Sequence, residues 1–571
     1  MVVKINIEKI KGEKLMVKKK LSKLFILVTT IVMTTSIFAG CSKPAPANTN
    51  PGTSAAKDEQ SIVYNLGAEN DTYDPGLATT VGSATVVNQV FEGLMRLNDQ
   101  NQPELAVAEK VDFDSNNPTK YVFHIRKDAK WSDGQPVKAK DYEYAWKRVL
   151  DPAVASGYAT QLYYLKNGAA FNGKQAKIDD VGVKAKDDYT LEVELENPTP
   201  YFLQLCTLAT LMPVRQDIVE KDKDKWATKP ETYVGNGPFK VTAYTPDKEM
   251  QFVKNDNYWN KAQVKLDKMK FVMIVQQSSA LSAFETGEVD YLDSIPSNDV
   301  PRLTKEGKVV SLPYIGTYYI SLNNKKPGLD NPKVRKALSL AIDRQVLIDK
   351  VWQDPRKPAT SFVPYGFPDS DSSKQFRDVG GDMLPAKGDV EKAKQLLAEA
   401  GFPDGKGFPQ MEYAYNNDET HKKIAQAVQD MWKKNLGIEV KLNEVEWKVF
   451  TPQRRAGNYF IARDGWIGDY MHPMTMLDIF VTKDGNNHPQ YSNPKYDALI
   501  LGAKKEKDPV KSMQMLHDAE KILIDEDSAL IPVAFYVSNV ACKPYVKGVR
   551  KTPVGMMYFD RAYVEGKAAA K

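Results

Sequence analysis

Alternation of apolar and polar residues predicts half-buried strands at several places along the chain. The strand-like segments are 61–66, 121–125, 190–195, 269–275 and 438–442. Helical periodicity occupies much of the sequence between them. No pattern repeats with a period of roughly 20–50 residues, which excludes a solenoid of stacked repeats. The pattern therefore predicts a mixed α/β protein with large domains.

Helix ends are marked by capping residues. Asn331 and Asp389 stand at N-cap positions, with Pro332 in the first turn after Asn331, and Gly401 and Gly437 follow last turns. The predicted helices are one that begins after Asn331 and carries an apolar stripe at Val334, Leu338, Ala341 and Ile342, one over Val390–Ala400, and one over His421–Leu436. These signals are independent of the apolar periodicity and agree with it.

The amino terminus has the pattern of an export signal. Basic residues at Lys18–Lys20 and Lys23 precede an uncharged segment from Leu24 to Gly40. That order predicts a secretory signal peptide over 1–40. A membrane-spanning helix is the alternative, although the segment is marginal in length for a ~30 Å core. A typical signal also begins at Met16, so the sequence does not decide between starts at Met1 and Met16.

A short motif follows the apolar segment. Phe38-Ala-Gly-Cys41 resembles the bacterial lipobox, with Phe38 where leucine is usual. The resemblance implies cleavage before Cys41 and attachment of lipid to that cysteine, which would hold the protein to a membrane. Residues 41–60 are rich in Pro, Ala, Ser, Thr and Asn and are predicted to form a flexible tether.

Composition and charge exclude several classes of protein. The chain has 571 residues, of which 42% are apolar and 26% charged, as in soluble globular proteins. Its net charge of +5 comes from the amino terminus, because residues 1–40 contain eight lysines and two glutamates (+6) and leave −1 for the remainder. This nearly neutral body gives no reason to expect nucleic-acid binding.

The residues that usually hold metals are few and scattered. The three cysteines, Cys41, Cys206 and Cys542, form no CxxC motif, and the five histidines are far apart. We therefore expect neither a metal site nor a cofactor. Whether Cys206 and Cys542 pair is left open.

Catalytic motifs are also missing. No GxSxG elbow and no Walker A sequence occurs, and Gly235-Asn-Gly237 is interpreted as a structural turn because Pro238 would interrupt a phosphate-binding loop. Sequence alone does not test for a catalytic triad, whose members need not be close in the chain. We predict that the protein is not an enzyme.

An ordered set of segments resembles one family. The segments are Tyr73-Asp-Pro with Phe91-Glu-Gly-Leu, Phe123-His-Ile-Arg-Lys-Asp-Ala-Lys-Trp-Ser-Asp-Gly, Val234-Gly-Asn-Gly-Pro-Phe, Asn257-Tyr-Trp-Asn, Val334-Arg-Lys-Ala-Leu-Ser-Leu-Ala-Ile-Asp-Arg and Arg463-Asp-Gly-Trp-Ile-Gly-Asp-Tyr. Together they resemble the extracytoplasmic oligopeptide-binding proteins of ABC-type importers, the solute-binding family of peptide and nickel carriers. The resemblance spans essentially the whole body and is closest to the oligopeptide branch.

The resemblance implies a type II periplasmic-binding-protein-like α/β fold, with two ligand-enclosing lobes and an extra inserted domain. The implied boundaries are 61–91, 236–316 and 534–571 for lobe I, 92–235 for the inserted lobe II, and 317–533 for lobe III. Ligand would be enclosed between lobes I and III, which move about a hinge of crossing strands.

The same resemblance implies which residues bind a peptide. Asp469 matches the position that binds the peptide amine, Arg463 and His421 match positions that reach peptide carboxylates, and Arg454 matches a neighbouring basic position. Further matches are the aromatic residues Trp447 and Trp466, the ligand-contacting tyrosines Tyr314 and Tyr319, and the backbone contacts Val81, Gly465 and Ile467. Taken singly, each has a structural alternative: a loop cap for Asp469, an ion pair for Arg463, plain surface for His421, and core packing for the tryptophans.

Two departures from the family pattern stand out. Thr79 occupies a position where related proteins can have a glutamate, so a cationic ligand side chain would be less favoured there. Gly316 and Ile467 stand where some relatives have a disulfide pair.

The implied function is capture of short peptides outside the cytoplasmic membrane and their delivery to the permease subunits of an ABC importer. The protein would be an exported monomer, anchored by lipid to the outer face of the cell membrane, or on the periplasmic side in a two-membrane bacterium. A receptor for signalling peptides or another small solute on the same scaffold is the alternative, although the few histidines and the retained Asp469 and Arg463 argue against a nickel chelate or a sugar. An extracytoplasmic hydrolase or a chaperone-like surface protein is a more distant one.

Overall fold

The structure is a computed structural model and describes residues 59–567 of the chain. The predicted signal peptide, the lipidation site Cys41 and the tether up to residue 58 lie outside the described residues. Between residues 59 and 567, no helix has both the length and the apolar character that crossing a membrane requires. The choice between Met1 and Met16 is likewise untouched by the structure.

The strands of the described chain are mostly short, and two of them are long. They are β1 (Ser61–Asn65), β2 (Met95–Leu97), β3 (Pro103–Leu105), β4 (Ala108–Phe113), β5 (Lys120–Ile125), β6 (Val183–Ala185), β7 (Thr190–Glu194), β8 (Phe239–Thr245), β9 (Glu249–Lys254), β10 (Lys268–Val272), β11 (Tyr291–Leu292), β12 (Val309–Leu322), β13 (Lys357–Pro358), β14 (Met411–Asn416), β15 (Val440–Val445), β16 (Ile461–Ile467), β17 (Leu530–Cys542), β18 (Val546–Lys547), β19 (Arg550–Lys551), β20 (Met557–Tyr558) and β21 (Tyr563–Val564).

The α-helices lie mainly in the second half of the chain. They are α1 (Val81–Val90), α2 (Ala139–Leu150), α3 (Gly168–Asn172), α4 (Phe202–Leu205), α5 (Gln216–Val219), α6 (Gln277–Thr286), α7 (Val300–Lys305), α8 (Pro332–Leu340), α9 (Arg344–Leu347), α10 (Phe376–Gly380), α11 (Val390–Glu399), α12 (Glu419–Leu436), α13 (Trp447–Arg455), α14 (Met474–Leu477), α15 (Pro494–Ala503) and α16 (Pro509–Lys521).

One mixed sheet of eleven strands organises the molecule. Its order is β15-β14-β16-β12-β17-β11-β1-β10-β9-β8, with β13 paired to β17 off this path. Strands from sequence-distant pieces are therefore neighbours; for example, β1 pairs in parallel with β10 and β11. This arrangement explains why no single linker in the sequence separates the domains.

The two long strands β12 and β17 lie side by side in the middle of this sheet. They pair in an antiparallel fashion from Val309↔Ala541 to Ser321↔Leu530, with register shifts between Pro313 and Thr317 and at Tyr318. Each strand crosses the boundary predicted between lobes I and III, so both run through the two lobes. The exact lobe boundaries remain predictions.

A separate antiparallel sheet forms within the predicted insertion, residues 92–235. Its order is β4-β5-β7-β6. Helix α2 packs beside it, and its Trp146, like Trp131 in the preceding loop, is completely buried. Burial of large aromatic side chains stabilises a fold by about 1.5–3 kcal/mol each, and the buried residues of the insertion are continuous with the apolar core of the rest of the body.

Most of the local predictions from sequence are confirmed, but the helix after Asn331 ends at Leu340, so Ala341 and Ile342 of its predicted apolar stripe lie beyond its last turn. All five predicted strands are present as β1, β5, β7, β10 and β15, with ends shifted by one to three residues. The Asn331 side chain accepts a hydrogen bond from Lys333 N (3.0 Å), and Asp389 accepts one from Lys392 N (3.0 Å). The third predicted helix begins two residues earlier than expected, at Glu419, because Asp418 supplies its cap.

The segment Gly235-Asn-Gly237 has a structural role, as predicted, but it is an irregular segment with a bend at Gly237 and not a turn. A Cβ atom on Gly235 would lie 1.9 Å from the carbonyl oxygen of Val90, and one on Gly237 would lie 2.7 Å from the Val90 carbonyl carbon. The Asn236 side chain makes two hydrogen bonds with the backbone of Glu92: its Oδ1 accepts from Glu92 N–H, and its Nδ2 donates to Glu92 O. The glycines therefore allow close backbone approach between the chain segments that enter and leave the insertion.

The two cysteines of the described chain do not pair with each other. Cys206 is buried in the insertion, and Cys542 lies at the end of β17. Burial raises the pKa of the Cys206 thiol, as expected for a thiol packed among apolar side chains.

Candidate functional site

A cavity of about 430 Å³ lies between the parts of the chain assigned to lobes I and III. Its walls come from the amino-terminal end of α1, from β12, from the start of α12, from one face of α13 and from the carboxyl-terminal half of β16. Leu208, Ala209, Thr210 and Tyr158 of the insertion close one side. This volume is in the range of cavities that hold small ligands.

Most of the predicted site residues line this single cavity. They are Val81, Tyr314, His421, Trp447, Arg454, Arg463, Gly465, Trp466, Ile467 and Asp469. The chain brings them together from positions almost four hundred residues apart. Contact of these residues with a ligand remains a prediction.

Tyr319 is the exception and its prediction needs correction. Its side chain is fully buried, and its ring packs edge-on against Phe362 (5.4 Å between centroids) and Phe480 (6.2 Å). Successive side chains of a strand point to opposite faces. The neighbouring Tyr318 faces Arg463 and His421, so Tyr319 faces the core on the other side of the sheet.

Asp469 lies just beyond the end of β16 and is incompletely paired. Its Oδ1 accepts a hydrogen bond from the Tyr158 hydroxyl (3.0 Å), and its backbone N–H donates to Thr475 Oγ1 (2.9 Å). Its Oδ2 is buried and accepts no hydrogen bond from any residue that the structure describes. Because Asp469 lines the cavity, this free acceptor oxygen is available to a donor from outside the chain.

The surroundings of Asp469 are acidic. Burial is the main cause that raises its pKa to about 7, and Asp478 and Asp484 raise it further, whereas the Tyr158 hydrogen bond lowers it. Asp478 is itself paired with Lys504 (3.0 Å). Without a cationic partner, the Asp469 carboxyl group therefore keeps its proton up to near-neutral pH. A cation placed beside its carboxylate would be strongly stabilised.

Arg463 lies farther back along β16 and is the cationic pole of the cavity, as Asp469 is the anionic one. Its Nη2 donates to the Tyr536 hydroxyl (3.3 Å), and its guanidinium lies 5.2 Å from the centroid of the Tyr318 ring. Its Nε is buried and donates to nothing within residues 59–567. Because arginine keeps its charge at all physiological pH values, this group offers a cation to an anionic ligand.

His421 stands in the first turn of α12, near Arg463. Its Nδ1 is 3.7 Å from Asp418 Oδ1, too far for a hydrogen bond, and its ring packs against Tyr318 (5.5 Å). Burial, and then Arg463 and Arg356, hold the pKa of His421 well below its usual range. The imidazole is therefore neutral, and it provides a hydrogen-bonding group rather than a charge.

Arg454 lines the cavity, but its charge is already neutralised. Its Nη1 donates to Asp464 Oδ1 (2.7 Å), and the other oxygen of Asp464 lies 2.8 Å from His488 Nδ1. Burial would raise the pKa of Asp464, yet Arg454 and His488 outweigh it and lower that pKa to about 2. The geometry favours a structural ion pair for Arg454.

Aromatic side chains form much of the remaining wall. Trp466 is fixed by its Nε1, which donates to Thr475 O (2.8 Å), and Tyr158 packs edge-on against it (6.2 Å). Trp447 begins α13 and packs against Phe450 (6.3 Å). Rigid aromatic walls suit a site that must accept different apolar groups.

The pair Gly316 and Ile467 takes the place of the disulfide that the resemblance suggested for some relatives. The two residues are direct partners in the β12–β16 ladder. A Cβ atom on Gly316 would come within 2.4 Å of Ile467 Cδ1, so the isoleucine side chain fills the space that the glycine leaves. Packing across the ladder holds the strands here.

Sequence reasoning missed several residues of the site. Tyr158 belongs to the insertion, Tyr536 to β17, and Arg455 directly follows Arg454. Arg455 could have been considered as the second residue of an Arg-Arg pair, but the tyrosines carry no local signal. In residues 59–567 no group of three or more His, Cys, Asp and Glu side chains is arranged to hold a metal ion.

Comparison with known proteins extends over nearly the whole described chain. The family model described as bacterial extracellular solute-binding proteins, family 5 Middle, matches residues 102–488. The oligopeptide-binding protein OppA of Bacillus subtilis is 38% identical over 549 residues, which are 95% of this chain and 100% of that protein.

Two solved structures add a comparison of conformations. The crystal structure of Haemophilus influenzae OppA in complex with RPPGFSPFR has a TM-score of 0.83 and 35% identity, and covers 89% of this chain and 99% of that chain. The unliganded open form of the murein tripeptide-binding protein MppA has a TM-score of only 0.59 at 33% identity, with coverage of 90% and 99%. Because the two proteins are similarly identical to this chain, the lower TM-score of the open form indicates that its conformation differs from that of the structure described here.

Proposed function

This chain belongs to the bacterial extracellular solute-binding proteins of family 5, and we propose that it captures short peptides outside the cytoplasmic membrane and delivers them to an ABC-type permease. The observation that carries the proposal is the pair of incompletely satisfied poles in one cavity: the buried Oδ2 of Asp469 and the buried Nε of Arg463. A short peptide carries the complementary ammonium and carboxylate groups at its two ends. Both contacts would be charge-assisted hydrogen bonds.

The spacing of the poles fits a peptide of a few residues. Arg463 and Asp469 are six residues apart, and an extended segment of that length spans at most about 20 Å. Three to five extended residues span roughly 10–18 Å, so they fit between the poles.

The open edge of β16 supports backbone recognition. On one side, β12 pairs with β16 from Gly316↔Ile467 to Leu322↔Ile461. On the other side, β14 pairs with β16 only at Ile461 and Ala462, so residues 463–467 have no ladder partner there among the described strands. An extended peptide can add to such an edge through main-chain hydrogen bonds, independently of its sequence.

Closure around the ligand is the proposed mechanism. The walls of the cavity come from both sides of the long strands β12 and β17, which would serve as the hinge. A ligand that contacts both lobes only when they are together shifts the balance towards the closed state. The higher TM-score to a peptide complex than to an unliganded open form supports a closed arrangement for the conformation described above.

Anchoring completes the proposal. We infer that cleavage before Cys41 and lipidation of this cysteine hold the protein, as a monomer on its tether, at the outer face of the membrane. The support is the sequence alone, namely the basic segment, the apolar segment and the lipobox-like motif. Mass spectrometry of the membrane-bound protein should find a lipid-modified amino-terminal Cys41. An unmodified or uncleaved terminus would contradict this part of the proposal.

The main test uses ligands that co-purify with residues 42–571. After release by acid denaturation, mass spectrometry should show peptides of about two to five residues with mixed sequences. A single dominant peptide would favour a signalling role, and a non-peptide ligand would overturn the peptide assignment.

A second test removes one charged end of the ligand at a time. Calorimetry would compare a free tripeptide with its N-acetylated and C-amidated forms. Acetylation should weaken binding by at least about 100-fold, because it leaves Asp469 without a cationic partner in a buried site. Amidation should weaken binding less, by about tenfold, because Arg463 keeps its contact with Tyr536. Equal affinity for the free and acetylated forms would overturn the assignment of Asp469.

A further inference from the structure

Two adjacent arginines at the end of α13 have different partners. Arg454 is paired at 2.7 Å with Asp464. Arg455 lines the cavity and its Nη2 donates to Thr79 Oγ1 (2.8 Å), but its nearest carboxylate oxygen, Asp71 Oδ2, is 3.5 Å away. A distance of 3.5 Å is at the outer limit for a hydrogen bond. The charge of Arg455 is therefore less completely matched than that of its neighbour.

Arg455 also has an unused donor. Its Nε, like that of Arg454, is buried and donates to none of the described residues, but 32% of the Arg455 side chain is exposed, against 8% for Arg454. A guanidinium has five N–H donors in a planar fork that matches a carboxylate, and it cannot lose its proton. The neutral hydroxyl of Thr79 satisfies one of these donors without neutralising the charge. The side chain is thus equipped to receive an anionic group from the cavity.

Gly157 packs closely beside Arg455 and Thr79, because a Cβ atom at this position would lie 3.1 Å from Thr79 Cγ2 and 3.7 Å from Arg455 Nε. An anionic group therefore reaches Arg455 from the cavity, which Arg455 and Thr79 both line. The next residue, Tyr158, donates its hydroxyl to Asp469. The Arg455 region is therefore adjacent to the place where the peptide amine is expected.

We propose that Arg455 and Thr79 form a subsite for an acidic side chain near the amino terminus of the bound peptide. The proposal rests on the peptide-binding function inferred above, and it adds a preference for ligand chemistry. A glutamate or aspartate carboxylate would accept hydrogen bonds from the Arg455 fork, whereas an isosteric amide would gain a weaker, neutral contact. Asp71, whose Oδ2 lies 3.5 Å from Arg455 Nη2, takes up part of this charge and limits the preference.

Calorimetry with matched tripeptides tests the proposal. Alanine tripeptides with Glu or Gln at position 1, 2 or 3 differ only in the charge of one side chain. The wild-type protein should bind the Glu peptide about tenfold more tightly than the Gln peptide when the residue is at position 1 or 2. At position 3, which lies away from the amine pole, the two affinities should be nearly equal.

Variants assign the preference to one side chain. Arg455→Gln should reduce the Glu/Gln affinity ratio to about one, and Arg455→Lys should keep part of it. Arg455→Glu should reverse the preference so that a Lys tripeptide binds more tightly than its Gln counterpart. Lys448→Gln is the matched control, because this exposed residue of α13 lies outside the cavity and its loss changes the net charge equally.

The outcomes separate the inference from the function on which it rests. Tight binding of all the tripeptides with a ratio of one in the wild-type protein would overturn the acidic subsite and leave peptide capture intact. A ratio that persists in Arg455→Gln, or falls equally in Lys448→Gln, would overturn the role of Arg455. Failure of the wild-type protein to bind any tripeptide would overturn both proposals.

Discussion

Two buried carboxylates, five residues apart in the chain, are held in opposite ways. Asp464, within β16, has both oxygens satisfied by Arg454, by His488 and by the N–H of Gly465. Asp469, beyond the end of the same strand, has one oxygen without a donor among the residues described. The pKa of the first is lowered to about 2, and that of the second is raised to about 7.

This difference indicates a structural role for Asp464 and a binding role for Asp469. A carboxylate whose partners are all internal fixes the fold around it and has nothing left to offer a ligand. A carboxylate that is buried without a cation is unfavourable until a cation arrives, so the cost of its burial becomes a source of selectivity for an ammonium group. Asp464 lies within β16 and Asp469 follows its end, so the ion pair of Asp464 with Arg454 also helps to position Asp469.

Removing the charge of Asp469 should have the largest effect. Asp469→Asn should weaken peptide binding by at least about 100-fold, because the peptide ammonium would be buried without an anion. Isothermal titration calorimetry with a tripeptide measures the change. Asp430→Asn serves as the control, since Asp430 is exposed on α12 outside the cavity. An affinity within threefold of wild type would remove Asp469 from the site.

Removing the charge of Asp464 should instead reduce stability. Asp464→Asn leaves the charge of Arg454 buried and uncompensated and should lower the free energy of unfolding by about 3 kcal/mol. Urea denaturation at pH 7 measures it. Because the pKa of Asp464 is lowered in the folded state, its contribution should be present at neutral pH and disappear as the pH falls towards 2.

A double variant sharpens this second result. Replacing both partners with apolar residues, as Arg454→Met with Asp464→Leu, leaves no unpaired charge and should destabilise the protein less than Asp464→Asn alone. A double variant at least as unstable as the single one would mean that the ion pair is not the cause of the loss.

Peptide affinity should depend on pH in a direction set by Asp469. In the ligand-free protein its raised pKa means that the carboxyl group takes up a proton as the pH falls below about 7, and only the carboxylate can pair with an ammonium. Affinity should therefore fall as the pH is lowered, approaching about tenfold per unit well below pH 7. Calorimetry from pH 8 to 5.5 in buffers of different ionisation enthalpy would detect this and the accompanying proton release. A flat profile would contradict the raised pKa.

The smallest expected effect is a gain of stability in the same variant that loses binding. Above pH 7, Asp469 carries a buried charge without a cation, so Asp469→Asn should raise the unfolding free energy of the ligand-free protein by about 1 kcal/mol. Below pH 5 the wild-type carboxyl group is protonated and the gain should vanish. Thermal unfolding of ligand-free wild type, Asp469→Asn and Asp430→Asn at pH 5 and 8 checks this. A loss of stability at pH 8 would show that Asp469 is structural.

Local structure was largely predictable from sequence because its causes are local. Asn331 and Asp389 cap helices through bonds to residues two and three positions ahead, and alternation of apolar residues identified β5 and β7. The same alternation could have corrected Tyr319, since its neighbour Tyr318 faces the cavity residue Arg463. The register shift between Tyr318 and Tyr319 affects only the pairing with β17; the pairing of β12 with β16 is regular there, so the alternation of faces holds.

The sequence by itself identified most of the charged and aromatic residues that line the cavity, because an ordered set of motifs fixes their identity and their place on helices and strands; it missed Tyr158, Tyr536 and Arg455 and wrongly included Tyr319. Only the tertiary structure decided what each of them does. Tyr158 reaches Asp469 across 311 positions of the chain, and Asp464 is matched by residues 10 and 24 positions away. Burial and pairing are properties of the assembled cavity, and they make one aspartate a structural partner and its neighbour a binding group.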